Sequence, residues 1–211
     1  MTRKYEQHLR AESAQQTRQR ILDALASCLR EAPARPASID QVARIAGVAR
    51  PTIYLVFGSR AGLFGALAAT LLERGRFGRM LEQSAHPDAR EGLRRGIHAT
   101  VEMYATERDL LRALISAGQL DADTVGGATK RMEQGRATGA RSRAQRLADQ
   151  HLLRPDVTID DAASILYVLT SFDAFDLLYS GRNLTAARTA DLLIASAEHS
   201  LCVPQVRSES A

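Results

Sequence analysis

The sequence predicts an all-α protein in which an amino-terminal three-helix unit with a helix-turn-helix precedes a larger helical body. Three observations predict it. Apolar residues recur at helical spacing from Ile39 to Leu201; Gly47 and Pro51 divide one such stretch into two helices within about twenty residues; and residues 158–180 are apolar almost all round. With 211 residues, 45% of them apolar, and no long polar insert, the chain can bury one sizeable core or two small ones.

The segment 38–60, SIDQVARIAGVARPTIYLVFGSR, carries the most information. Ser38 is placed to cap a helix through its hydroxyl, and Ile39, Val42, Ala43 and Ala46 then share one face over about two turns. Gly47 follows where the chain must reverse, because a residue without Cβ accepts the left-handed backbone that ends a helix, and Val48 points back inward. Pro51 opens a second helix, where a missing N–H costs nothing, and Ile53 and Phe57 supply its apolar face. Ala43 is small enough for the two helices to cross closely, and Arg50, Thr52, Tyr54 and Leu55 are left to meet a partner.

Charge points to what that partner is. Residues 1–60 hold ten Lys or Arg against five Asp or Glu, which leaves eighteen against nineteen for the rest. A basic head on a near-neutral body suits double-stranded DNA, since phosphate neutralisation supplies most non-specific affinity. Arg50 stands at the start of the second helix, the part that enters a major groove, and its planar fork matches the paired acceptors of guanine. Thr52 offers its methyl to thymine or its hydroxyl to a phosphate.

Residues 42–63, VARIAGVARPTIYLVFGSRAGL, resemble the TetR family of bacterial transcriptional regulators, whose pattern reads I-A-x-x-A-G-V-S-x-G-T-[IL]-Y-x-[YH]-F-x-[SN]-K-x-x-L. Ala43, Ala46, Gly47, Val48, Thr52, Ile53, Tyr54, Phe57, Ser59 and Leu63 match, and Arg60 keeps the charge of the usual Lys. Residues 17–32 resemble the family's first helix, with Arg18, Ile21, Leu22, Ala24 and Leu25 in register, so the likeness covers about the first 70 residues. It implies that Tyr54 and Arg60 contact the sugar-phosphate backbone, with packing on the first helix as the other reading of Tyr54; Thr17, Arg18 and the basic tail residues Arg3, Lys4 and Arg10 are candidates for further contacts nearby, with disorder as the other reading of Arg10. The expected DNA-binding set is Thr17, Arg18, Ser38, Ala49, Arg50, Pro51, Thr52, Tyr54, Leu55 and Arg60. Three departures stand out. Ala49 replaces the Ser or Thr that caps the recognition helix, Val56 replaces a phosphate-donating Tyr or His, and Pro33 and Ala34 replace a Gly-aromatic pair.

The resemblance further implies a helical ligand-binding and dimerisation domain after the helix-turn-helix DNA-binding domain, and a homodimer on a palindromic operator. Repression is the family's commoner habit, with release by a small-molecule effector and no cofactor. The expected divisions are a tail and head at 1–60, a connecting helix within 61–86, a body at 87–204 and a polar tail at 205–211. The connecting helix should run on from Leu63 to Met80, Pro87 should break the chain, and helices are expected over 91–106, 108–120 and 129–153, with Gly126 and Gly127 in a loop.

In the body, Ile165, Val168, Phe172, Phe175 and Tyr179 form one stripe of a 158–180 helix, and Ile159, Ala162, Leu166 and Leu169 another. Gly181 ends it, and Thr185 caps a last helix with a seam of Ala190, Leu193, Ile194, Ala197 and Leu201. These resemble the family's two-helix dimer interface, a four-helix bundle when doubled, so Ile165, Val168, Phe172, Ala190, Leu193, Ile194, Ala197 and Leu201 are its expected residues; packing within one chain is the alternative. His98, Met103, Tyr104, Tyr167, Phe172 and Phe175 either line an effector cavity or pack as ordinary core. Asp173 and Asp176 are costly to bury, so they reach solvent, meet a cationic ligand or, the preferred reading, pair with an Arg. The run 130–146, with Arg136, Arg141, Arg143 and Arg146, is either a solvated face or a site for an anion.

Other classes find less support. The charged amino terminus and the shortness of the main apolar run, 162–172, against the roughly 20 residues a bilayer needs argue against a signal peptide or membrane span, so a soluble cytoplasmic protein is expected. Cys28 and Cys202 stand far apart with no metal-ligand spacing. No nucleophile-base pair or paired carboxylates emerge, and the five His include neither H-x-x-x-H nor H-E-x-x-H, so no enzyme is expected. The remaining rival is a helical ligand-binding or scaffold dimer without sequence-specific DNA recognition.

Overall fold

The protein's structure, a computed structural model, describes residues 2–32, 35–74 and 77–204, with side chains from Glu12 onward. The tail residues Arg3, Lys4 and Arg10 as DNA contacts, the pair Pro33 and Ala34, and the 205–211 tail therefore lie outside the described residues or side chains. Among the described residues the fold is all-α. Ten helices occur and no strand: α1 (Thr2–Glu31), α2 (Ile39–Ala46), α3 (Arg50–Phe57), α4 (Arg60–Arg74), α5 (Phe77–Ser84), α6 (Ala89–Leu120), α7 (Gly126–Asp149), α8 (Ile159–Leu169), α9 (Phe172–Tyr179) and α10 (Ala186–Leu201). No single helix among them is long and apolar enough to cross a membrane.

The chain divides into two compact units. Met1–Leu72 and Arg108–Met132 make the first, Glu73–Glu107 and Glu133–Ala211 the second. Within α6 the chain leaves one unit for the other beside Glu107, whose φ of −111° and ψ of 19° are not helical, so the expected separation of 91–106 from 108–120 is present as a kink. The first unit is built on Ile21, Leu25 and Leu29 of α1, Ile53 of α3, Leu63, Phe64 and Leu67 of α4, and Leu110 and Leu114 of α6, all fully buried. Each such side chain contributes about 1.5–3 kcal/mol through loss of water contact. In the second unit Leu93, Ile97, Val101 and Tyr104 share the buried face of α6, as their spacing predicts.

Two expectations need correcting. Gly126 and Gly127 do not form a loop; they are the first turn of α7, because the N–H groups of Val125 and Gly126 bond to the carbonyl of Asp121 and Thr129 donates to the carbonyl of Gly126. The connecting segment is helical over α4 and over α5, on either side of residues 75 and 76. The expected helix over 158–180 is two, α8 and α9, bent by 46°. Here the side chain of Thr170 turns back to the carbonyl of Leu166, and Ser171 adopts an extended backbone and caps α9 by accepting from the Ala174 N–H at 3.0 Å.

Caps hold the second unit's helix starts. Thr158 and Asp161 form a reciprocal capping box on α8, Thr185 caps α10, and Asp88 accepts from the Glu91 N–H at 2.8 Å at the start of α6. That bond holds the Asp88 carboxyl below its ordinary value. A lowered folded pKa means stability present above the unfolded value of about 3.9 and lost as pH falls through the folded one. Asp88→Ala is expected to cost about 1 kcal/mol in urea unfolding at neutral pH, and the difference from the parent should shrink in acid.

Candidate nucleic-acid interface

The turn between α2 and α3 forms for the reason Gly47 suggests. Its φ of 64° and ψ of 39° are left-handed, its N–H reaches the carbonyls of Ala43 and Arg44, and the Val48 N–H bonds to Ala43 at 3.0 Å. Ile39, Val42, Ala43 and Ala46 are buried, so α2 turns one face inward. Ser38 has the extended backbone of a cap, with φ −80° and ψ 134°, but its hydroxyl makes no capping bond, which corrects that part of the expectation. Ala49 likewise supplies no side-chain cap to α3, and Pro51 takes a first-turn position where no N–H is needed.

Helix α3 fully buries one residue, Ile53. Arg50, Ala49, Pro51, Tyr54 and Leu55 are exposed, Leu55 to 86%, while Thr52 and Phe57 are half-buried. A core helix would not leave a leucine so bare. Arg50 bonds through one Nη to both carboxylate oxygens of Asp40 at 3.2 Å and lies 5.9 Å from the Tyr54 ring centre, and Tyr54 first, then Asp40, push its pKa up. Arg50 is thus charged, outward and held by an exposed carboxylate it can leave. Arg18, half-buried on α1, stacks its guanidinium 4.8 Å from the Phe57 ring, with Thr17 half-buried beside it.

Residues 21–67, which enclose this geometry, match the family model described as bacterial regulatory proteins, tetR family. The head is a tetR-family DNA-binding module. The chain's role is accordingly that of a DNA-binding regulator of transcription. No curated protein matches the chain. Solved structures show the same fold beyond the head. NalD of Pseudomonas aeruginosa, the secondary repressor of the MexAB-OprM multidrug efflux pump, superposes with a TM-score of 0.71 at 24% identity over 90% of this chain and 98% of that one. The ketosteroid transcriptional regulator KstR2 of Mycobacterium tuberculosis gives 0.65 at 18% over 89% and 95%, and a TetR-like regulator from Rhodococcus sp. RHA1 gives 0.60 at 22% over 86% and 93%.

Within this tetR-type head, Arg60 is engaged inside its own unit. It pairs with Asp121 at 3.2 Å and lies 5.4 Å from the Phe64 ring, so a phosphate must compete with that carboxylate. Asp40 and Asp121, the carboxylates that hold Arg50 and Arg60, carry no signal in the sequence pattern, since neither stands at a helical spacing from its partner. Arg50→Ala is expected to weaken operator binding roughly tenfold to a hundredfold with little change on random duplex, measured by fluorescence anisotropy. Equal losses on both would assign Arg50 to phosphate. Asp40→Asn frees the guanidinium and should tighten binding to either duplex at low salt.

The body's candidates separate by burial. Met103, Tyr104, Phe172 and Phe175 are buried, Tyr167 is half-buried, and His98 is exposed beside Glu102, which removes His98 from the interior set. Tyr104 donates to the Thr170 carbonyl at 3.1 Å, and burial pushes its pKa up. Asp173 is exposed in the first turn of α9, where a negative charge suits the helix dipole, and Asp176 accepts from Ser180 at 2.7 Å. Asp173 thus reaches solvent, and Asp176 holds the Ser180 hydroxyl. A pocket of about 550 Å3 opens in the second unit against Arg74, Arg79, Met80, Glu102, Met103 and Thr106; of the expected ligand residues it includes Met103 alone.

The expected dimer seam also divides. Phe172, Ala190, Leu193, Ala197 and Leu201 are buried within the protomer, so they face its own core and not a partner. Ile165 and Ile194 are half-buried, Val168 is 62% exposed, and Leu177, absent from the expected set, is 69% exposed.

Proposed function

We propose that the chain is a repressor that binds a palindromic operator as a homodimer and leaves it when a small-molecule effector occupies its body. The observation that carries this reading is α3, which buries Ile53 and turns a basic, aromatic surface of Arg50, Tyr54 and Leu55 outward. One head touches too few base pairs to select a site among many competitors, so two copies are required. The exposed Val168 and Leu177, with the half-buried Ile165 and Ile194, offer apolar surface for that pairing. The 550 Å3 pocket falls within the roughly 300–1,000 Å3 of small-molecule sites, with Met103 in its wall. An effector held there weakens operator binding only to the extent that it prefers the DNA-free arrangement.

Along the chain, 1–60 reads DNA, 61–86 connects, and 87–204 binds effector and partner. The protein works in the cytoplasm, where the operator is, and likeness to the repressor NalD favours repression over activation. Sequencing the duplexes retained from a random pool by the purified protein tests this. A two-fold symmetric consensus whose binding falls steeply with salt is the expected result. A stable dimer that enriches no sequence would replace the reading with a ligand-binding scaffold.

A further inference from the structure

Three arginines among the described residues bury an Nε that has no hydrogen-bond partner: Arg60, Arg90 and Arg143. Two of them are answered elsewhere on the same guanidinium. Arg60 pairs with Asp121, and Arg90 donates through an Nη to the Val203 carbonyl at 2.5 Å. Arg143 has no hydrogen bond or ion pair among the described residues. Its surroundings make this costlier, because burial and a neighbouring cation both disfavour its charge. Arg136 shares the face of α7 seven residues earlier and repels it, while burial pushes the pKa of Arg143 down.

Arg136 itself is accounted for. Its guanidinium donates to the carbonyls of Tyr167 and Thr170 at the carboxyl end of α8, where a cation complements the helix dipole, and its Nε bonds to both oxygens of Glu133 at 3.1 Å. Tyr104 uses its hydroxyl proton on the same Thr170 carbonyl. The neighbouring polar groups are therefore occupied with one another, and none supplies a negative charge to Arg143. Between the two arginines stands Gly139, where a Cβ would lie 3.8 and 3.9 Å from the two Nη atoms of Arg143. The absence of that side chain leaves one edge of the guanidinium open.

We propose that Arg143 is an anion-binding residue, taking a carboxylate or phosphate oxygen pair on the edge formed by its two Nη atoms, in the gap left by Gly139. A guanidinium edge and a carboxylate or phosphate meet through two parallel charge-assisted bonds, and the enclosed position strengthens them relative to water. This site is distinct from the 550 Å3 pocket, whose lining does not include Arg143, and it does not depend on the DNA-binding reading. The anion would offset the repulsion from Arg136.

The test uses the full chain, labelled with 15N-arginine and titrated with sodium acetate and separately with inorganic phosphate against sodium chloride at matched ionic strength, without DNA. The expected result is a saturable shift of the Arg143 Nε–Hε resonance, assigned by its loss in Arg143→Lys, together with a rise of the thermal midpoint that is absent in Arg143→Gln. Gly139→Val, which keeps the charge but fills the gap, should weaken anion binding severalfold. A linear, chloride-like response overturns the proposal. So does a midpoint rise of equal size in Arg143→Gln, and so does an Arg143 resonance that changes on dilution but not with either anion, which would place a carboxylate of a second copy there. The titration of the unsubstituted protein decides the matter even if Arg143→Gln does not fold.

Discussion

Val168→Asp combined with Leu177→Asp is expected to turn the protein into a monomer and to weaken operator binding by roughly 10²- to 10⁴-fold, the gain that joining two binding modules supplies. Both side chains are more than three-fifths exposed in the single chain, so they contribute little to its own core. Two carboxylates placed there meet two more across a two-fold axis, and like charges facing one another in a desolvated interface are strongly disfavoured. Because the sites are exposed, urea unfolding of the monomer should change by no more than about 0.5 kcal/mol per substitution. Light scattering and anisotropy on the selected operator read the two effects separately. A variant that stays dimeric would move the interface elsewhere, and a monomer with undiminished affinity would remove the need for two heads. Leu193→Asp is the contrasting case: that residue is buried in the protomer, and its substitution should unfold the chain rather than separate two copies.

The helix-turn-helix was legible because each of its signals is local. Gly47 adopts the positive φ that its position after an apolar face requires, Pro51 stands in a first turn, and Ile53 is the buried anchor of α3, all decided within a few residues of one another. The carboxyl-terminal helices were legible in content but not in direction. An unbroken apolar run gives no sign of where it bends, and the turn at Thr170 and Ser171 rests on two hydroxyls that bond locally to the backbone. That turn sends Val168 outward and Phe172 inward although the two stand four residues apart, a spacing that one continuous helix would put on one face. The seam on α10 misled for a related reason, since small residues at helical spacing permit close approach to any neighbour, and here the neighbour is the protomer itself. Pairings between distant residues, Arg50 with Asp40 and Arg60 with Asp121, leave no periodic trace at all.

Phe175→Ala is expected to lower global stability by about 3–5 kcal/mol, the cost of removing a large aromatic from a closed core together with the cavity left behind. Phe175 is fully buried, and its ring centre lies 5.5 Å from that of Tyr104, 5.9 Å from Phe172 and 5.0 Å from Tyr179, so one truncation strips a face from three other rings. Leucine refills most of the volume, and Phe175→Leu should recover most of the loss. Leu55→Ala is the counterpart on the recognition helix. Its side chain is 86% exposed, so its removal should leave urea unfolding within about 0.5 kcal/mol of the parent while operator binding falls. The contrast separates two reasons for a large apolar residue to be present. Phe175 is there because the core needs it, and a stability assay sees it at once; Leu55 contributes nothing to the core, so if operator binding survives its loss the outward face of α3 is not what meets DNA.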